Sequence, residues 1–173
     1  DGPDDGRGEI AGHAFQHVSI GNPQCAIRVA DEAELDAIDL PGLGTAIEHD
    51  ARFPHRTNVS FWTELAPDRI RARIFERGAG ETQSSGTGSC GAAVAHVLRG
   101  GDSPVTVVLD GGELVVVPDV PAAFAQQAID AFRTRSLDTF SLALSGGATA
   151  RRCYEHLADV CGSQIDWWKV DVY

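Results

Sequence analysis

The run Glu76-Arg77-Gly78-Ala79-Gly80-Glu81-Thr82-Gln83-Ser84-Ser85-Gly86-Thr87-Gly88-Ser89-Cys90 decides how the chain is read. It leaves an apolar strand pattern (Ile70, Ala72, Ile74, Phe75), crosses small residues, and enters an alanine-rich helix pattern from Gly91 to Leu98. Strand, small-residue loop and helix start together make an anion-binding corner. The first amides of a helix lack carbonyl partners and carry the positive end of its dipole. Generic phosphate loops share that much. Here Glu76 and Arg77 add an acid and a base at the entrance, and Thr82, Ser84, Ser85 and Thr87 add hydroxyls. That mixture suits a zwitterionic ligand better than a nucleotide.

Upstream of this corner, residues 1–12 read as a flexible lead-in. Strand patterns follow at Phe15 to Ile20 and Ala26 to Ala30, separated by the turn Gly21-Asn22-Pro23. Asp31 caps a short helix to about Ile38, and a second helical turn covers about Leu43 to His49. Thr57 to Leu65 and Ile70 to Phe75 form an antiparallel pair around Ala66-Pro67-Asp68. Beyond the corner, a helix from about Thr87 to Arg99 stops at Gly100-Gly101, and Pro104 to Leu109 pairs with Glu113 to Val117 as a hairpin.

The pattern then changes, and a boundary is expected near residue 117. Val120 to Phe132 is an amphipathic helix with Val120, Phe124, Ala128 and Phe132 on one stripe. Thr139 to Leu144 reads as a buried strand, Ser145-Gly146-Gly147 as a tight loop, Thr149 to Val160 as a helix, and Lys169 to Tyr173 as another strand. That alternation is the grammar of a parallel α/β sheet.

At 173 residues, with 43% hydrophobic and 23% charged residues, the chain has room for a core and the composition of an ordinary globular protein. A net charge of −11 argues against nucleic acid or an anionic membrane as partner. Apolar runs such as Val105 to Leu109 are too short to span a bilayer. The acidic, glycine-rich N-terminus lacks the pattern of a secretory signal, and the four cysteines show no C-x-x-C spacing. A cytoplasmic protein with reduced thiols is therefore expected. With no methionine and a linker-like opening, the chain reads as a piece of a longer reading frame.

Residues of about 13 to 117 resemble the C-terminal half of diaminopimelate epimerase, through HVSIGNPQCAIRV, FPHRTNVSFW, ERGAGETQSSGTGSCGAA and GGEL in that order. The resemblance implies an α+β half-domain, an antiparallel sheet around a central helix. It also implies a cofactor-independent transfer of the α-proton of an amino acid between two opposed cysteines, converting LL- to meso-diaminopimelate in lysine biosynthesis. On this reading Asn22, Asn58, Glu76, Arg77, Gly86 and Thr87 bind substrate, and position 85 carries a catalytic group. Two residues depart from the family pattern. Ser85 stands in the place of the catalytic cysteine, and Gln24 stands where histidine is usual. A hydroxyl is a far weaker acid than a thiol, and Cys90 lies five residues on, inside the helix. The opposing cysteine belongs to the other half of the family's fold, so this chain alone is not expected to epimerise.

Plainer roles fit several of these residues. Asn22 suits a turn, Glu76 and Arg77 a surface ion pair, and Ser85 a helix cap and nothing more. Cys25, Cys153 and Cys161 read as inert. His13 and His17 share a strand face without a third ligand at metal spacing, so no metal site is expected.

Residues of about 114 to 173 resemble the N-terminal part of 6-phosphogluconolactonase, through PAAFAQQAIDAF, FSLALSGGATARRCYEHLA and IDWWKVDVY. This implies a truncated α/β, Rossmann-like segment over residues 118–173, after an epimerase-like domain over residues 1–117. Ser145, Gly146, Gly147 and Thr149 would grip a sugar phosphate, with Arg151 and Arg152 in the first turn of the helix. The competing reading of that loop is a plain turn with solvated arginines. Three functions follow for the chain: an altered epimerase, a lactonase with an epimerase-like extension, or a non-catalytic module that binds an amino acid or another anion.

Overall fold

A computed structural model of the chain describes residues 6–144 and 146–173. They divide into two compact units, one up to Val116 and one from Val117.

The first unit is α+β. Its strands are β1 (Arg7–Ile10), β2 (His13–Ser19), β3 (Pro23–Arg28), β4 (Asn58–Ala66), β5 (Arg69–Glu76), β6 (Gly80–Thr82), β7 (Val105–Leu109) and β8 (Gly112–Val116). They form one sheet in the order β1-β2-β3-β4-β5-β7-β8, with β6 as a side strand on β5. Most neighbours are antiparallel, but β3–β4 and β5–β7 are parallel, so the sheet is mixed where an antiparallel one was expected. The reason lies in the connections. Helices α1 (Glu32–Ala37) and α2 (Leu40–Glu48) carry the chain from β3 to β4, and α3 (Gly86–Val97) carries it from β5 to β7. A helical crossover returns a strand parallel to its neighbour.

Period-2 alternation divides the core between the two faces of the sheet. Ile27, Val59, Phe61 and Phe75 pack with Leu35, Leu40 and Ile47 of α1 and α2 on one face. Ala26, Trp62, Ile70, Ala72 and Ile74 pack with Ala92, Ala93 and Ala95 of α3 on the other. Small residues let α3 lie close to the sheet. A Cβ added at Gly88 would sit 2.6 Å from Ile74 Cγ2, and one at Gly91 would sit 2.8 Å from Gln24 Cβ.

Within the expected lead-in, residues 7–10 form β1, paired to β2 from Arg7↔Gln16 to Ile10↔His13. Ile10 is buried in the core, and Ala11 and Gly12 turn the chain at φ +50° and +81°. Long-range pairing supplies what local composition does not advertise. The rest of that lead-in, residues 1–5, falls outside the described residues. β3 spans Pro23–Arg28, not Ala26 to Ala30, because its pairing with β2 begins at Ser19↔Pro23.

The second unit contains α4 (Val120–Thr134), β9 (Phe140–Leu142), α5 (Ala148–Cys161) and β10 (Val170–Val172). β10 lies parallel to β9 with α5 between them in sequence, and α4 and α5 share a core of Ala128, Ile129, Phe132, Leu157 and Cys161. β9 is not the buried strand the sequence suggests. Ser141 is exposed, and its sheet has only two strands among the described residues. Val120, on the expected apolar stripe of α4, is likewise 48% exposed.

Candidate functional site

The corner begins where β5 ends at Glu76. The chain turns through Gly78 (φ +76°) and comes back as β6, with Glu76 opposite Gly80 and Ile74 opposite Thr82. The glycine loop is thus in part a hairpin. Ser85 caps α3 with extended backbone dihedrals, and its Oγ accepts the Gly88 N–H at 3.1 Å. Its carbonyl accepts the Ser89 N–H at 3.0 Å and the Ser89 hydroxyl at 2.7 Å. Ser85 is buried, whereas Gly86 and Thr87 are exposed in the first turn, where helix amides have no intrahelical acceptor.

Asn58, the first residue of β4, is 3% exposed, and its Oδ1 accepts the backbone N–H of Arg77 at 2.9 Å. The Arg77 guanidinium donates to the His55 carbonyl at 2.9 Å. Glu76 is half-buried and its carbonyl accepts the Ala79 N–H at 3.0 Å. The two side chains do not pair with each other, so the plain surface ion pair is not what forms.

Asn22 lies between β2 and β3, half-buried, and its Oδ1 accepts from Gln24 Nε2 at 2.8 Å. Gln24 is fully buried, stands opposite Asn58 in the β3–β4 register, and packs under Gly91 of α3. Gln24 thus links Asn22 and the strand that carries Asn58 to the second turn of α3, while Asn58 holds the loop at Arg77. Each of the two asparagines spends its carbonyl oxygen on the protein and keeps its NH2 group for another partner.

Sequence reasoning missed Glu48. It is 3% exposed at the end of α2, and its Oε1 accepts the Gly78 N–H at 2.9 Å and lies 3.3 Å from Arg56 Nη1. The signal was there: Leu40, Gly44, Ile47 and Glu48 are the buried residues of α2, so an acid occupies an apolar stripe. Such a carboxylate needs partners, and the corner supplies them.

Burial pushes the Cys90 thiol up despite its position near the start of α3, and pushes Cys25 up to about 12. Cys153 and Cys161 are buried in the second unit. His13 packs edge-on to Phe61 with ring centroids 5.5 Å apart, and burial lowers the pKa of His17. The described residues contain no cluster of three potential metal ligands. None of the described helices is long and apolar enough to cross a membrane.

In the second unit Gly147 begins α5 at φ +111° with no side-chain cap, and Gly146, Thr149 and Arg152 are exposed. Arg151 Nε lies 2.7 Å from Glu155 Oε1. Ser145 falls outside the described residues.

The first unit is, on this geometry, an α+β unit with a corner lined by hydrogen-bond donors. Comparison with known proteins narrows that class. The diaminopimelate epimerase profile matches residues 16–121, and the chain belongs to that family, a family of isomerases. The diaminopimelate epimerase of Halorhodospira halophila is 50% identical over 100 residues, which is 57% of this chain and 34% of that protein. That of Alkalilimnicola ehrlichii is 49% identical over 57% of this chain and 35% of its own length. That of Synechococcus sp. is 45% identical with the same coverage. The chain thus spans about a third of the length of these relatives. A solved predicted epimerase from Pseudomonas aeruginosa aligns with a TM-score of 0.38 at 20% identity, over 75% of this chain and 56% of that one.

Proposed function

We propose that the first unit is the substrate-gripping wall of a cofactor-independent amino-acid epimerase of the diaminopimelate type, which serves lysine biosynthesis. With Ser85 in place of a thiol, the chain holds that substrate without epimerising it. The observation that carries the reading is the set of donors at the corner: the NH2 groups of Asn22 and Asn58, and the exposed first turn of α3. These suit an α-carboxylate, and they would stabilise charge developing on it as an α-proton leaves. Glu76 and Arg77 flank the corner and suit the ammonium and carboxylate groups of a zwitterion.

Ser85 is one reason that binding is proposed without turnover. Its oxygen accepts from Gly88, which leaves its O–H to donate. A hydroxyl free to donate supports binding a carboxylate over removing a proton. In H2O, titration with diaminopimelate should perturb the amides of Asn22, Asn58 and Gly86; in D2O the α-proton signal of the ligand should persist, and Ser85→Cys should begin to exchange that proton. Failure to bind sinks the reading. Exchange by the unaltered chain as fast as by Ser85→Cys sinks the role given to Ser85.

For the second unit we propose anion binding of the sugar-phosphate class at the start of α5. The supporting observation is an open depression of about 640 Å³ lined by Gly147, Ala148, Arg151, Arg152 and Glu155, at a helix end with no side-chain cap. Phosphate-dependent shifts of the Ala148 and Thr149 amides, abolished by Arg152→Ala, are expected. Unchanged spectra at millimolar phosphate would refute it.

A further inference from the structure

Gln24 does more than fill space beneath α3. Its side chain is fully buried, held between the sheet and Gly91, where an added Cβ would lie 2.8 Å from its Cβ and Cγ and 3.2 Å from its Oε1. Its Nε2 donates to Asn22 Oδ1 at 2.8 Å, while its Oε1 is buried with no hydrogen-bond partner. A buried carbonyl oxygen without a partner is tolerated better than a buried N–H without one. Turning the amide around would place its NH2 group where the partnerless oxygen now lies. It would also face its oxygen toward Asn22. If Asn22 turned with it their hydrogen bond would be restored, so what favours the present orientation is the packing, which would leave a buried NH2 group without an acceptor.

We propose that Gln24 is a positioning residue that fixes the direction of the Asn22 side-chain amide, so that Asn22 offers its NH2 group and not its oxygen to the ligand. The proposal rests on the binding reading above. An amide is planar, with its oxygen and nitrogen on opposite sides of one carbon. Once the oxygen is turned in to Gln24, the nitrogen is turned away from it. Asn58 repeats the device with a backbone donor, its Oδ1 held by Arg77 N–H at 2.9 Å. Two locked amides give the corner a single polarity: it accepts a carboxylate and rejects the isosteric carboxamide, whose NH2 group would face donors.

The discriminating measurement is the ratio of affinities for diaminopimelate and its diamide. The unaltered chain should prefer the diacid. In Gln24→Leu the amide of Asn22 turns freely, and the preference should shrink roughly three- to tenfold, the worth of about one hydrogen bond. Simple loosening of the fold would weaken both ligands equally and leave the ratio unchanged, which would overturn the proposal. Hydrogen exchange of the side-chain amides in the unaltered chain gives an answer that needs no variant. Burial protects the Gln24 amide in either orientation, so Asn22 decides: both of its Nδ2 protons should exchange readily, and protection of one of them overturns the assignment. If neither ligand binds, the binding reading fails while the exchange pattern still decides the orientation of Asn22.

Discussion

The chain contains two corners in which a strand passes through glycines into a helix, and they are built in opposite ways. At α3 the helix start is backed from below and from the side. Ile74 lies under Gly88, Gln24 lies under Gly91, Ser85 closes the first turn, and Asn58 and Glu48 hold the loop amides of Arg77 and Gly78. At α5 the cap is a glycine without a side-chain bond, and a Cβ added at Gly146 or Gly147 would meet nothing within 4 Å. The sequence grammar is the same in both. What differs is whether buried polar residues from other strands and helices reach the loop, which is how a helix start can be preorganised.

Core substitutions should expose this contrast most. Ile74→Ala, at a fully buried position under the start of α3, should cost about 2–5 kcal/mol in denaturant unfolding. Leu144→Ala, at a residue 41% exposed just ahead of the second corner, should stay within about 0.5 kcal/mol. Equal losses would mean that the two corners are supported alike. Gly91→Ala is next. Its Cβ meets a Gln24 side chain with no room to move, so overpacking of about 1–3 kcal/mol should outweigh the helix preference of about 1 kcal/mol for alanine. Gly146→Ala, in open space, should be silent. Ser85→Ala removes a cap worth about 1 kcal/mol, and with it the Gly88 bond. Thermal melts rank all of these.

Much of the first unit was legible because its signals are local. Asp31 caps α1 through the Glu34 N–H, and Pro67 and Asp68 turn β4 into β5. Gly100 ends α3 at φ +97°. The rest is set by partners far along the chain. β1 reads as linker until β2 pairs with it, and the β3–β4 junction depends on a crossover that no short window reveals. The site divides in the same way. Ser85, Gly86 and Thr87 declare themselves at a helix start. The bond from Arg77 to Asn58 and the hold of Gln24 on Asn22 depend on side-chain direction, and Glu48 is marked only by an acid on an apolar stripe.

The smallest expected effect concerns pH and the loop that carries His55 and Arg56 to the first corner. Arg52 grips Asp50 through Nε–Oδ1 at 2.7 Å and Nη2–Oδ2 at 2.9 Å, and it also donates to the Glu9 carbonyl of β1. The Arg52 guanidinium holds the Asp50 carboxyl down at about 2, below its ordinary 3.8. A depressed carboxylate stabilises the folded state in full above its unfolded value, and the stabilisation is lost as pH falls through the folded one. Between about pH 4 and pH 2 the loop should therefore loosen. Because the His55 carbonyl accepts from Arg77, the loosening should reach the first corner as faster exchange of the Arg77 and Gly78 amides. Many carboxylates titrate in this range, so the informative quantity is the difference from Asp50→Asn, which should be less stable at neutral pH and lose less on acidification. Amides of the α5 corner should show no such difference between the two proteins. A parallel acid response in both proteins at Gly78 would mean that the Asp50–Arg52 pair supports nothing beyond its own turn.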